Sequence, residues 1–555
     1  MQTPTVLRIV TVALAVVLVT GCSKHAKKAR LLHDADTYFK AGNYDKAKVS
    51  YLNVLGLDPQ NAIAFERIGG MWQDDAAPLR AAPFLKKASE LDPNNVENRI
   101  RLARCYLAVG AFKEAKTEVL GVLQQMPANG DAITVLAESA HSKEDIEAAA
   151  QQIEKFPNRN DVSFHLASAS LFLSKGDSMA ATISVRQALA VDPKSSAAHM
   201  AMGDLYLFQK DVKRAAEEYK KAADLGRIRS TERLKYAALK SATSDVEETR
   251  RVATEMTKQA PDYLPGWVLL AELASKDKKY DEALSLLENI FGRDPEYVDG
   301  RRLQSEVLMD KGETKKAVQV LEQLDKTYAA VPLIKYQLAR AYLKNNNVSQ
   351  AKRVLEQAVS SNPGYLDAVL LLAETNIQTG HSESAIEPLA RVLRTNPEQR
   401  RAALLLATAY GVLDRSDDAV AVLQEQANRA PKDPQPYAAL GLTYRRAKKY
   451  DEARQEFEKA AQLDPNNVAL VAQLVELDLQ QKRFDAARQR IRNHFQGKAD
   501  SADAHFWEAR ALVAEGKWDG VEAHLRRTLS LIQIFPGRMT CSYRVILRLT
   551  NFHRL

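Results

Sequence analysis

The chain has 555 residues, enough for three or four ordinary domains unless internal repeats carry one architecture through that length. Its formal charge of +8 is concentrated at the two ends: Arg8, Lys24, Lys27, Lys28 and Arg30 near the start, and Arg538, Arg544, Arg548 and Arg554 near the finish, with no acid in either stretch. The body between them lies one charge below neutral, which excludes a phosphate-binding footprint, and Cys22, Cys105 and Cys541 have the spacing of neither a metal site nor a disulfide framework.

At the N-terminus, Arg8 is followed by an uncharged apolar stretch that runs to Ser23. It falls short of the ~20 residues a membrane-crossing helix needs, so a cleaved export signal over residues 1–21 is the better reading. The junction Val19, Thr20, Gly21, Cys22 resembles the lipobox of bacterial lipoproteins. The resemblance implies that Cys22 is acylated and becomes the first mature residue, with residues 22–30 as a basic tether. Two or three acyl chains anchor stably where one does not, and the run from Lys24 to Arg30 would lie beside anionic head groups. In the same family logic, Ser23 after the cysteine implies an outer-membrane lipoprotein facing the periplasm. An uncleaved anchor or an ordinary signal peptide is the alternative.

From residue 31 to 533 one phrase recurs. "YDKAKVSYLNVLGLDPQN" (Tyr44 to Asn61), "FKEAKTEVLGVLQQMPAN" (Phe112 to Asn129) and "YDEARQEFEKAAQLDPNN" (Tyr450 to Asn467) each read as an amphipathic helix stopped by proline and followed by an asparagine able to start the next helix. Pro59, Pro93 and Pro127, and later Pro363, Pro397, Pro431 and Pro465, stand 34 residues apart. Small residues recur in phase at Ala35, Gly69, Ala103 through to Gly441 and Ala509, and again twelve positions later at Ala47, Ala81, Ala115 through to Ala453. This pattern resembles the tetratricopeptide repeat, whose unit is a pair of antiparallel helices; in the unit from Pro434 the signature falls on Tyr437, Leu440, Gly441, Tyr444, Ala453, Phe457, Ala460 and Pro465. The implied fold is all-α, a right-handed superhelical solenoid of about 15 helix-turn-helix units. Tyr38, Trp72, Tyr106, Phe172, Tyr206, Tyr342, Tyr410 and Tyr444 are expected to fill the core above the small-residue contacts.

Two departures interrupt the pattern. The fourth unit reaches Pro157 four residues early, which predicts a second helix one turn short and a local bend. The last unit lacks its Asp-Pro, and residues 534–555 contain no Ala, Asp, Glu or Lys, the mark expected of a shifted reading frame or a truncated gene rather than a basic tail.

No phosphate loop, nucleophile elbow, HExxH, paired CxxC or EF-hand pattern occurs, and repeats account for nearly the whole chain, so neither an enzyme nor a cofactor or metal site is expected. His165 and His199 share one repeat position but have no third ligand, and packing is their expected role. Tetratricopeptide arrays bind peptides or partner proteins along the groove lined by first helices. The carboxylate clamp of the chaperone-binding members is absent, since Leu370 and Glu374, Leu404 and Thr408, Ala438 and Leu442 occupy its places. The expected groove is instead an apolar strip of Tyr336, Leu370, Leu404 and Ala438, flanked by Arg340, Glu374 and Arg445; burial of the same leucines between first helices is the competing arrangement. A lipobox joined to a long array also resembles the lipoproteins of PEP-CTERM/exosortase and exopolysaccharide-export systems, which implies a membrane-anchored scaffold for other proteins and no nucleic-acid partner. Rival readings are the repeat part of a truncated glycosyltransferase or hydrolase accessory, and a polysaccharide-binding solenoid.

Overall fold

In the computed structural model, residues 25–495 and 500–534 are described. The expected export signal, Cys22 with the lipobox-like residues before it, and the atypical tail after residue 534 therefore lie outside the described residues. Thirty helices and no strands are found among the described residues. The first, α1, spans residues 25–40, and the rest follow as hairpins α1–α2 to α29–α30. Residues 25–30 of the basic run belong to α1, and Lys28 pairs with Asp58 at 3.1 Å.

The recurring phrase folds as a joint. After α2 (Tyr44–Leu57) the Asp58 amide donates back to the Val54 carbonyl, and the Asn61 side chain accepts from the Ala64 amide to start α3 (Ala62–Asp74). Asn95, Asn129 and Asn467 cap later first helices in the same way. Within hairpins the small-residue columns mark the close approach. Ala47, Ala81, Ala115 and Ala453 are fully buried, and a methyl on Gly441 would stand 2.6 Å from the Phe457 ring. Gly203 faces Tyr219 equally closely. Gly69 faces Leu85 at the same 2.6 Å, whereas Ala35 is accommodated opposite Tyr51 at the equivalent position of the first hairpin.

The turn inside each hairpin carries a second, conformational repeat. One residue there has positive φ in fourteen of the fifteen hairpins: Gly42, Gly110, Gly176, Gly312, Gly380 and Gly516, but also Ala76, Lys210, Ser244, Lys278, Asn346, Asp414, Lys448 and Lys482. Left-handed backbone is free for glycine and costs other residues about 1–2 kcal/mol, so eight hairpins carry local strain that packing overrides.

The exception is the fourth hairpin, and there the expectation is corrected. Most of the loss falls on the first helix, α7 (Gly130–Glu138), with nine residues against thirteen in α3, whereas α8 (Lys143–Glu154), the helix expected to lose a turn, has twelve against fourteen in α2. Ser142 caps α8 three residues ahead of phase, so the early proline shifts α8 and α7 takes most of the loss. As a result α7 packs chiefly on the next first helix, α9 (Val162–Ser174), with Ala132, Val135 and Leu136 sharing a core with Ala167 and Leu171.

The described residues fall into two compact units, divided between Val331 and Pro332. The first closes on itself, an arrangement absent from the periodic pattern. Its opening hairpins meet α15 (Leu264–Lys276), α16 (Tyr280–Phe291) and α17 (Val298–Lys311), and one core cluster joins Tyr51, Trp72 and Leu85 with Leu264, Leu287 and Tyr297. Arg229 holds the seam: it donates to the Asp75 carboxylate at 3.1 Å, to Asp262, and to the Gly42 carbonyl at 3.2 Å. Lys48 reaches Asp75 at 3.0 Å, Arg80 reaches Asp294 at 2.9 Å, and Arg293 reaches Asp45 at 3.1 Å. Trp72 lies between the cations of Lys48 and Arg80, 3.8 and 4.5 Å from its ring centre, so this core aromatic also serves the seam.

Candidate functional site

In the second unit the first helices α19 (Pro332–Lys344), α21 (Leu366–Gln378), α23 (Arg400–Val412) and α25 (Pro434–Arg446) pack one on the next, and Arg445 of α25 reaches Gln473 of α27 (Val468–Gln480). Most of the sequence-predicted residues lie along the face of these helices. Tyr336 is partly exposed, meets Tyr365 edge to face at 5.7 Å, and carries Arg340 5.8 Å from its ring centre. Glu374 pairs with Arg401 at 2.8 Å, tying α21 to α23. Leu404 and Ala438 are partly exposed, and Arg445 donates to the Gln473 side-chain oxygen at 2.6 Å.

Leu370 departs from the strip. It is only 3% exposed and packs with Ala373, Leu389 and Leu406, so the competing arrangement holds at that position. Two residues along the triple-leucine run of α23 the same logic buries Leu406 and leaves Leu404 partly open, because one helix face can turn only part of three consecutive leucines inward. The apolar part of the face continues at Leu442, already placed on the groove by its repeat position, and at Leu333 and Val412, which the periodic reading passed over; each is more than two-fifths exposed. Val412 and Leu442 occupy positions that repeat packing leaves outward, and their apolar character there is the signal that was legible in the sequence.

Electrostatically the face is uneven. Arg401 is neutralised by Glu374 and Arg400 by Asp433 at 2.8 Å, and Arg510 of α29 (Ala502–Glu515) holds Glu476 at 2.8 Å. Between them Arg445 has only an amide oxygen, and Arg446 lies across the backbone of Gly411, its guanidinium 3.3 Å from where a Cβ would stand.

The first unit has its own concavity, about 780 Å³, with Asp74, Arg101 and Arg104 on one side and Arg229, Glu232 and Tyr263 on the other. Three of its arginines are paired internally: Arg101 with Glu97 at 3.2 Å, Arg104 with Asp131 at 2.6 Å, and Arg229 with the seam. Burial pushes the Asp75 carboxyl up to about 6, against the pull of Lys48 and Arg229. Burial also pushes the Cys105 thiol up to about 12, so it stays an inert core thiol. Of the two phase-matched histidines, His199 is buried between Glu218 at 2.6 Å and the Pro193 carbonyl at 3.1 Å, while His165 lies edge-on to Phe164. No group of three or more metal-ligating side chains occurs among the described residues.

Comparison with known proteins agrees with this geometry. Matches to the description "Tetratricopeptide repeat" cover residues 35–61, 74–122, 166–227 and, in overlapping segments, 274–496. No curated protein matches the chain. Among solved structures, the crystal structure of the APC/C hetero-tetramer Cut9–Hcn1 is similar at 18% identity and a TM-score of 0.37, over 90% of this chain and 98% of that one. With the period, the hairpins and the family matches in register, the chain belongs to the tetratricopeptide repeat family, whose repeats build protein–protein interaction scaffolds.

Proposed function

We propose that this protein is a membrane-tethered docking scaffold of the bacterial cell envelope, facing the periplasm from the outer membrane, and that the first-helix face of its second unit receives a partner protein. The observation that carries the docking reading is that face: Tyr336, Leu404, Ala438 and Leu442 offer apolar surface on packed, rigid helices, with Arg340, Glu374 and Arg445 at its margins. Apolar contact flanked by polar groups is what a protein interface needs, and nothing in the arrangement is set up to move protons or hold a nucleophile.

The tether rests on Val19, Thr20, Gly21 and Cys22. The first described helix begins at residue 25, so an acyl group on Cys22 would hold the opening hairpin within about 11 Å of the bilayer, the reach of three extended residues. Lys27 and Arg30 are exposed on that end of α1 and would add attraction to anionic lipid. The pathway this architecture suits is export of a surface polymer or sorting of surface proteins, in which several envelope proteins must be held at one place.

The experiment is affinity purification from envelope fractions with the full chain and a Cys22→Ala variant, partners being identified by mass spectrometry. A defined set of envelope proteins recovered only with the anchored chain supports the reading. A chain that fractionates as soluble whatever stands at position 22, or that is recovered alone, overturns it.

A further inference from the structure

Between α25 and α27 lies an open groove of about 710 Å³ whose walls include Leu442, Arg445, Arg446, Lys448, Gln473 and Glu476. Three of these side chains are cationic and one is anionic. Glu476, the anion, already accepts from Arg510, from Nε at 2.8 Å and from Nη2 at 3.2 Å. The cations are not matched in this way. Arg445 uses a neutral amide oxygen, Arg446 rests on the glycine backbone of α23, and no carboxylate among the described residues lies within ion-pair distance of Arg445, Arg446 or Lys448. Elsewhere on the same face arginines have their carboxylates, as Arg400 and Arg401 show. Leu442, one turn before Arg446 on the same helix, is 44% exposed, and Val412, next to the glycine that Arg446 covers, is 42% exposed.

We propose that this groove binds an acidic protein segment, which pairs its carboxylates with Arg445 and Arg446 and lays an apolar side chain on Leu442 and Val412. The inference rests on the docking reading above and adds the chemistry of the partner. Arg445 and Arg446 both line the groove, Arg445 reaching toward α27 and Arg446 toward α23, and neither has a carboxylate among the described residues, which suits two carboxylates of one chain laid across α25. A methyl at Gly411 would stand 3.3 Å from the Arg446 guanidinium, which would have to give by a few tenths of an ångström.

The test uses the full chain and a short fluorescent peptide of alternating glutamate and leucine, with its glutamine and lysine counterparts, followed by fluorescence anisotropy. The acidic peptide is expected to bind, to weaken at high salt, and to lose about tenfold in affinity in Arg445→Ala and again in Arg446→Ala. Arg510→Ala, which frees Glu476 to compete for those arginines, is expected to weaken binding too. The inference is overturned if the acidic peptide does not bind, if the glutamine peptide binds as tightly, or if Arg445→Ala and Arg446→Ala leave binding unchanged. Heparin binding as tightly as the peptide would also overturn it, since the groove would then be a general polyanion surface. Should the acidic peptide fail while Leu404→Glu still abolishes recovery of envelope partners, this inference falls and the docking reading stands.

Discussion

Arg229 and Asp75 stand 154 residues apart in the chain and 3.1 Å apart in space. The carboxylate has no solvent exposure, and the guanidinium that reaches it also holds Asp262 and the Gly42 carbonyl, so a single side chain fastens the beginning of the first unit to its later hairpins. Removing it leaves a buried carboxylate with Lys48 alone. Arg229→Ala is expected to cost the first unit about 3–5 kcal/mol and to raise its radius of gyration, checked by urea unfolding and small-angle scattering. An unchanged midpoint and radius would show that the apolar cluster alone closes the turn.

The same carboxylate makes the closure sensitive to pH. Burial raises the Asp75 pKa to about 6 from 3.8, so the closed form holds its proton more tightly than the unfolded chain does. Its contribution to stability is fully present below pH 3.8 and is lost as pH rises through about 6, by about 3 kcal/mol over the window. Wild type measured against Asp75→Asn should therefore lose relative stability between pH 4 and about 6 and then level off. A flat difference across that window would mean that Lys48 and Arg229 fully offset the burial.

Gly441 and Phe457 test the close packing inside a hairpin. A methyl at Gly441 would meet the ring at 2.6 Å, so Gly441→Ala is expected to destabilise by about 1–3 kcal/mol despite alanine's better helix propensity. Phe457→Leu in the same chain should recover part of that loss. Thermal unfolding of the two single variants and the double variant measures the coupling.

The strained turns offer the opposite sign. Lys210 has φ 62° and an exposed side chain, and Lys210→Gly is expected to stabilise the protein by about 1 kcal/mol, seen as a higher unfolding midpoint. Gly380→Ala at the equivalent turn, φ 80°, should lower it.

What the sequence made legible follows from what is periodic. Prolines, capping asparagines and small residues recur every 34 positions because each hairpin solves the same packing problem, and the helices stand where those marks place them. The left-handed turn was half visible, as glycine at six of its fourteen positions, while lysine, serine or aspartate hid it at others. The shortening of α7 was read from the right proline but assigned to the wrong helix, since a proline shows where a helix ends and not which end of the hairpin absorbs most of the loss. The Arg229 seam left no periodic trace: a contact between distant repeats depends on how small rotations accumulate along the array. For the candidate face, residue types placed Leu404 and Leu370 alike, and only the rotation of each helix separates an open side chain from a buried one.

The central claim is that the first-helix face of the second unit docks a partner, and Leu404→Glu tests it most directly. Leu404 is partly exposed but rests on the Ala407 and Leu423 core, so its charged variant is read beside Leu442→Glu, at a side chain 44% exposed where a carboxylate should leave the unfolding midpoint nearly unchanged while placing a charge on the same face. The account predicts that envelope proteins recovered with the anchored wild-type chain are lost with the Leu404→Glu and Leu442→Glu chains. Recovery of the same proteins in the same amounts by folded Leu404→Glu and Leu442→Glu chains would contradict it.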